Sequence, residues 1–325
     1  MIRIGFWMEI GLMRWAAGEA STFRQISGGL MMQRVGIIGL GRIGMPSTSA
    51  FIRAGYEVVG YGRRPEVIER FKALGGKAAS SPKEVAERAE TVIILVLNDE
   101  QVIEVATGRN GILEGTGSRS KVICMSTINR DNLEWVAKRC EEKGVAFVDC
   151  PFTGGPARVE KGTLTLIVAA ASSLVEEVRP VLEVLGKIHH VGESPGVAQS
   201  VKHCNQLLVS VTHAAVMETI LLAKKLGLDP HRVCEIVGSG IAGSDYFRLL
   251  SKSVLDQTPS PGGLGQLCKD ISIVSNTARK LKLPLYVTTS AYQYFLAAEA
   301  LGLGLQEKEG ADLMKVVERI TEADK

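Results

Sequence analysis

Several kinds of chemistry are missing from this sequence. Its 38 basic and 35 acidic side chains leave a net charge of only +3. No dense Lys/Arg stripe breaks the mixture, so no nucleic-acid partner is expected. The six cysteines (Cys124, Cys140, Cys150, Cys204, Cys234, Cys268) show no CxxC pair and no Cys/His ligand spacing. They read as free, mostly buried thiols in a reducing compartment, which points to the cytoplasm and to no metal site. His189-His190 lies in a strand-like run, where neighbours face opposite sides and cannot easily chelate one ion. There is no His-Glu-x-x-His pair. No apolar stretch reaches bilayer length without a charge or glycine inside it, so no membrane partner is expected.

Residues 1–33 stand apart from the rest of the chain. They hold two of the three tryptophans (Trp7, Trp15) and end in Met31-Met32 just before the first strand-like run. They are expected to be an extension to the fold, or the product of a start assigned too far upstream. Glu9 interrupts the apolar region and no small-residue cleavage site comes after it, which disfavours a secretory signal.

From Val35 to about Cys150 apolar strand runs alternate with amphipathic helices, the pattern of a doubly wound parallel sheet. Strands are predicted at 35–38, 57–61, 91–97, 121–125 and 145–148, with 163–170 and 188–191 continuing the pattern. Ser81-Pro82-Lys83-Glu84 predicts a capped helix start, and Ser173 with Glu176 predicts another. Near Pro195 the character changes. Val197 to Leu226 contains neither proline nor glycine and predicts one helix about 45 Å long at 1.5 Å per residue. Gly227 ends it, Asp229-Pro230 caps the next, and the remainder is helical except for the Gly/Pro/Ser stretch 258–265. The expected division is therefore residues 34–194, α/β, and residues 195–325, helical, with substrate in the cleft between them.

The first strand runs into Gly39-Leu40-Gly41-Arg42-Ile43-Gly44 and then a helix. This spacing fits a dinucleotide-binding turn. Gly39 would allow the tight turn, Gly41 close approach of a pyrophosphate, and Gly44 close packing of helix on strand. After the second strand, where NAD-binding folds usually place a carboxylate for the ribose, stands Gly62-Arg63-Arg64. Two guanidiniums suit a 2′-phosphate, which favours NADP over NAD.

No Tyr-x-x-x-Lys pair is present to supply an acid. On the long helix, Lys202, Gln206, Val209 and His213 share a face. A desolvated Lys202 would have a pKa near neutrality and could exchange protons; by spacing alone, a lysine that merely snorkels at a domain boundary is the better reading. Thr153-Gly154-Gly155, after a strand's carboxyl end, is either an anion-binding nest or an ordinary turn, with nothing in the composition to decide.

Together these segments resemble the β-hydroxyacid dehydrogenase family, with its 3-hydroxyisobutyrate dehydrogenases, its tartronate, glyoxylate and succinic semialdehyde reductases, and its 6-phosphogluconate dehydrogenase-like nucleotide domain. The resemblance rests on the glycine turn, on Asp149-Cys150-Pro151-Phe152-Thr153-Gly154-Gly155, on Lys202-His203-Cys204-Asn205-Gln206 and on Lys269-Asp270. It covers nearly the whole chain from about Arg34 onward. It implies a Rossmann-like domain joined by the long helix to an all-helical domain, and an oxidoreductase acting on CH–OH groups. Lys202 is then the general acid/base. Thr153, Gly154, Gly155, Asn205, Gln206 and Asp270 hold a small carboxylate substrate, a 3-hydroxy acid or its semialdehyde. Leu97, Asn98, Thr127 and Lys269 meet the cofactor beside the glycine turn, and the assembly is a homodimer or homotetramer. Gln206 stands where the family has Asn, and Thr153 where it has Ser. The alternatives are an NAD-dependent 3-hydroxyisobutyrate or threonate-type dehydrogenase and a non-catalytic nucleotide-binding module.

Overall fold

Val35, Ile37 and Ile38 are sealed from solvent because β1 (Arg34–Ile38) lies inside a sheet whose two faces are both covered. A computed structural model describes residues 33–258, 263–303 and 314–316; the proposed extension at 1–33 lies, but for Gln33, outside them. In chain order the α/β part is β1, α1 (Gly44–Arg53), β2 (Glu57–Tyr61), α2 (Pro65–Ala73), β3 (Lys77–Ala78), α3 (Pro82–Arg88), β4 (Thr91–Ile94), α4 (Asp99–Thr107) and α5 (Ile112–Gly115). It continues through β5 (Lys121–Cys124), α6 (Arg130–Glu142), β6 (Ala146–Asp149), β7 (Phe152–Thr153), α7 (Pro156–Glu160), β8 (Leu164–Ala169), α8 (Ser172–Leu182) and β9 (Gly186–Gly192). The helical part is α9 (Val197–Lys225), α10 (Pro230–Ser239), α11 (Asp245–Leu255), α12 (Leu264–Lys280) and α13 (Tyr286–Ala300).

The strands lie in the order β3-β2-β1-β4-β5-β6-β8-β7, with β9 beside β8. β3 through β6 are mutually parallel, so the strand order reverses between β1 and β4. That switch point opens a crevice at the carboxyl ends of the strands. The expectation of parallel strands throughout needs correction at 163–170, because β8 runs antiparallel to β6. Only β7 and the five-residue α7 join them, and a parallel pair would need a full crossover back along the sheet.

Two further expectations shift. β4 ends at Ile94 rather than at residue 97: Leu95 N donates to Ile38 O, after which the chain leaves the sheet and Asn98 caps α4 through Gln101 N. α8 starts at Ser172, with Ala171 as N-cap and no side-chain cap bond. Glu176 is drawn to Arg179, so a charged partner wins over the cap. At α3 the predicted cap forms: Ser81 Oγ accepts from Glu84 N, while the Glu84 carboxylate takes the N–H and hydroxyl of Ser80.

Apolar residues cover both faces of the sheet, and a separate core joins α9 to α10–α13 around Met217, Ile220, Leu250, Ile271 and Phe295. α9 spans 29 residues, as its composition predicts, and Gly227 (φ +71°) stands just past its end. It is long and apolar enough to cross a bilayer, with Glu218 the one charge between Lys202 and Lys224. Glu218 interrupts it, so no stretch of bilayer length free of charge and glycine is present there. Its apolar face is spent on the helical core, the usual place for such a helix within a folded chain.

Candidate active site

The three glycines of the first turn sit in different surroundings. At Gly39 (φ +102°) a Cβ would lie 2.3 Å from Leu95 O, and at Gly44 it would lie 2.0 Å from Gly39 O. At Gly41 a Cβ would meet nothing within 4 Å. Two glycines therefore serve the protein's own packing, while the third faces open space where a pyrophosphate can come close. α1 begins at Gly44, so the positive end of its dipole adjoins that space.

The space is a cleft of about 590 Å³ along the switch point. Gly39, Leu40, Gly41, Arg42, Ile43, Arg63, Arg64, Leu97, Thr127, Lys202 and Lys269 line it. Arg63 and Arg64 stand exposed after β2, at the end of the cleft shared with Ser80 and Ser81. Sequence reasoning overlooked Gln101, Arg109, Ser126, Phe152 and Gln266, which also line the cleft. Arg109 had a signal: a cation in the tight Gly108-Arg109-Asn110-Gly111 turn, with Asn110 at φ +58°. The others lie in helices or apolar runs without one.

Lys202 sits one and a half turns into α9 and is 6% exposed. Its Nζ makes no hydrogen bond or ion pair among the described residues. Burial lowers its pKa to about 8, with help from the nearby Lys269 charge and against the attraction of Asp270. An unpaired buried ammonium is costly in a fold, and proteins rarely keep one without use for it.

Around Lys202 a chain of polar contacts ties α9 and α12 to the β5–α6 loop. Asn205 Nδ2 donates to Gln206 Oε1 (2.7 Å) and Gln206 Nε2 to Asp270 Oδ2 (2.5 Å). Lys269 Nζ lies 2.7 Å from Asp270 Oδ1 as an ion pair, off the line of a good hydrogen bond, and donates to Thr127 O. The longer Gln206 thus spends its amide on protein groups. Asn205, Gln206 and Asp270 stand behind the cleft wall rather than on its surface. Asn98 is likewise occupied, as the α4 cap.

Thr153 pairs with Thr165 across the β7–β8 ladder, and Gly154 (φ +138°) and Gly155 (φ +73°) turn the chain into α7. They sit beside the cleft that Phe152 lines, without lining it themselves. Arg158 is half-exposed and pairs with Asp245 of α11 at 3.6 Å. His213, three turns beyond Lys202, is fully buried, with Nδ1 3.0 Å from the Tyr246 hydroxyl and Nε2 unpartnered. Burial lowers its pKa to about 4, so it is a neutral packing residue. His203 Nε2, protonated to suit a carbonyl acceptor, donates to Ile128 O (2.9 Å), and burial lowers its pKa as well. Among the described residues no group of three potential ligands could hold a metal ion.

Comparison with known proteins agrees with this architecture. Residues 34–193 match the NAD binding domain of 6-phosphogluconate dehydrogenase, and residues 196–320 match the NAD-binding domain of NADP-dependent 3-hydroxyisobutyrate dehydrogenase. L-threonate dehydrogenase of Cupriavidus necator is 33% identical over 84% of this chain and 93% of its own. Mouse mitochondrial 3-hydroxyisobutyrate dehydrogenase (Mus musculus) is 31% identical over 80% of each chain. The crystal structure of 3-hydroxyisobutyrate dehydrogenase from Salmonella typhimurium matches with a TM-score of 0.80 at 28% identity, over 88% of this chain and 99% of that one. The chain belongs to the β-hydroxyacid dehydrogenase family. It is an NAD(P)-dependent oxidoreductase of the class acting on CH–OH groups of hydroxy acids.

Proposed function

We propose that the protein is an NADP(H)-dependent oxidoreductase that interconverts a small 3-hydroxy acid and its semialdehyde or keto form, with Lys202 as general acid/base. The observation that carries this reading is the unpaired, buried Lys202 ammonium in the wall of a cleft floored by the glycine turn. The cradle fits a dinucleotide, because open space at Gly41 adjoins the N-terminus of α1. The 2′-phosphate falls to Arg63 and Arg64. Leu97, Asn98, Thr127 and Lys269 flank the nicotinamide end, and Asp270 holds Lys269.

The bound dinucleotide supplies or accepts a hydride at its nicotinamide. Lys202 does the rest. In reduction the charged amine donates its proton to the carbonyl oxygen as negative charge builds there. In oxidation the neutral amine takes the hydroxyl proton. Thr153, Gly154 and Gly155 hold the substrate carboxylate, and Asn205, Gln206 and Asp270 brace the wall of the substrate site from behind. The 34–194 part carries the cofactor and the 195–325 part completes the substrate site and a homodimer or homotetramer. The six free cysteines support a reducing, cytoplasmic setting.

The likeness to L-threonate dehydrogenase favours a second substrate reading, a polyhydroxy acid. A panel of 3-hydroxyisobutyrate, L-threonate and short semialdehydes with NADP(H) and NAD(H) decides between them. On the best substrate Lys202→Ala is expected to lower kcat by ~10²–10⁴-fold. Wild-type turnover in that variant would sink the mechanism. Removing both guanidiniums (Arg63→Ala with Arg64→Ala) should raise KM for NADPH by ~10–100-fold and leave NADH nearly untouched. Equal effects on both cofactors would reverse the cofactor assignment.

A further inference from the structure

Two buried Asp–Gln pairs bracket Lys202 on one face of α9. Gln206, four residues after it, joins Asp270 in the site just described. Gln199, three residues before it, joins Asp149, and neither of these lines the cleft.

Asp149 is the last residue of β6 and has no exposed surface. Its Oδ2 accepts N–H bonds from Gly196 (2.9 Å) and Gln199 (3.2 Å), and its Oδ1 accepts from Gln199 Nε2 (3.2 Å). Gln199 is used at both ends. Its Nε2 also donates to Ser126 O (3.0 Å), and its Oε1 accepts from Ile128 N (3.2 Å). His203 adds a bond to Ile128 O. Three separate segments therefore meet at the first turns of α9: the end of β6, the β5–α6 loop and the helix itself. The β5–α6 loop contributes Ser126 and Thr127 to the cleft. Asp149 also leads, within four residues, into Thr153.

We infer that Asp149 and Gln199 are positioning residues, which set how deep and at what rotation α9 meets the sheet and so place Lys202 relative to the 151–155 segment. The inference rests on the reading of Lys202 as the acid/base. Its physical basis is the choice of a carboxylate. Burial pushes Asp149 up to about 6 even though several N–H groups stabilise the ion. A helix that only had to be anchored could use an apolar contact, which tolerates rotation and sliding. A carboxylate accepting backbone N–H bonds from two turn positions at once does not, because both lengths fail together when the helix turns. Asp149 holds the β6 side and Gln199 the β5 side of the same helical turn. Asp149 does not line the cleft, so it is assigned no role in proton transfer.

The test compares Asp149→Asn and Gln199→Met with wild type and Lys202→Ala. Three quantities are read: Kd for NADPH by fluorescence, kcat and KM on the best substrate, and the pH dependence of Lys202 acylation by acetic anhydride, tracked by peptide mass mapping. In the positioning variants kcat is expected to fall about 100-fold, the effect of displacing a reacting group by about 1 Å. Kd for NADPH should stay within about threefold, and the acylation midpoint of Lys202 should move by at least about half a unit as its burial changes. If one variant fails to fold, the other carries the test from the opposite side of the pair. Failure of both overturns the inference in favour of a plain structural cap. So does a kcat within about threefold of wild type in a folded variant, or a Kd that weakens in step with kcat. Wild-type activity of Lys202→Ala would retire the acid/base reading instead, while acylation in Asp149→Asn still reports whether the lysine moved.

Discussion

Lys202 carries opposite consequences for rate and for stability, and pH separates them. With its pKa lowered to about 8, reduction needs the charged form, so kcat should fall as pH rises through about 8. Oxidation needs the neutral form and should gain over the same range. The two limbs should share one midpoint, and both should vanish in Lys202→Ala. For stability, a base depressed from 10.5 to about 8 costs the fold its charge below pH 8, and that cost disappears as pH rises toward 10.5. Lys202→Met, which keeps the stem and removes the charge, should therefore be more stable than wild type at pH 7 by roughly 3 kcal/mol. Its advantage should shrink toward pH 10. A lower melting temperature at pH 7 would mean that Lys202 is paired in solution. None of this was legible in helical spacing, which made a snorkelling lysine the better reading, because burial depends on what packs over the helix.

Secondary-structure elements divide into those specified locally and those that neighbours overrule. The βαβ turn was legible in its fold, including the close backbone approaches at Gly39 and Gly44, because spacing implies them. The different surroundings of the glycines predict a clean separation. Gly41→Ala has room for its methyl and should melt like wild type while weakening dinucleotide binding about tenfold or more. Gly44→Ala puts a Cβ 2.0 Å from Gly39 O, so it should lower the melting temperature by several degrees whether or not cofactor is added. Equal melting of the two variants would undo the distinction. The long α9 was legible too, through its lack of breakers and the Gly227 stop. The end of β4 was not, because Val96 and Leu97 are as apolar as strand residues and leave the sheet only when Leu95 O meets the Gly39 turn. The Ser173/Glu176 cap failed for a related reason, since Arg179 takes the Glu176 carboxylate.

On the scale of the whole molecule, the helical part leaves several large apolar side chains exposed among the described residues. Leu281 and Leu283 and, at the start of α13, Tyr286 and Val287 are each more than half exposed. These side chains support the homodimer or homotetramer proposed above. Sedimentation or light scattering should give a mass of at least two chains of 34.9 kDa. Tyr286→Lys with Val287→Glu should reduce that mass if this surface is the contact. A wild-type monomer at micromolar concentration would remove the proposal. Arg158 and Asp245, half-exposed and 3.6 Å apart, form a direct link between the α7 region and α11. An exposed pair of this kind adds little to stability.

Periodicity, turn chemistry and caps act over a few residues, so the amino-acid order alone was enough for the alternating α/β pattern, the nucleotide turn, the two arginines after β2 and the single long helix. Its motifs also named the lysine. The bonds around Lys202 cross 47 residues from Gly196 to Asp149, 73 from Gln199 to Ser126 and 64 from Gln206 to Asp270. No local pattern encodes such pairings. Desolvation, the Asp–Gln pairs on either side of the amine and the withdrawal of Gln206 from the cleft surface arise only when α9 is packed between the sheet and α12, because they depend on which polar groups meet once water has been excluded.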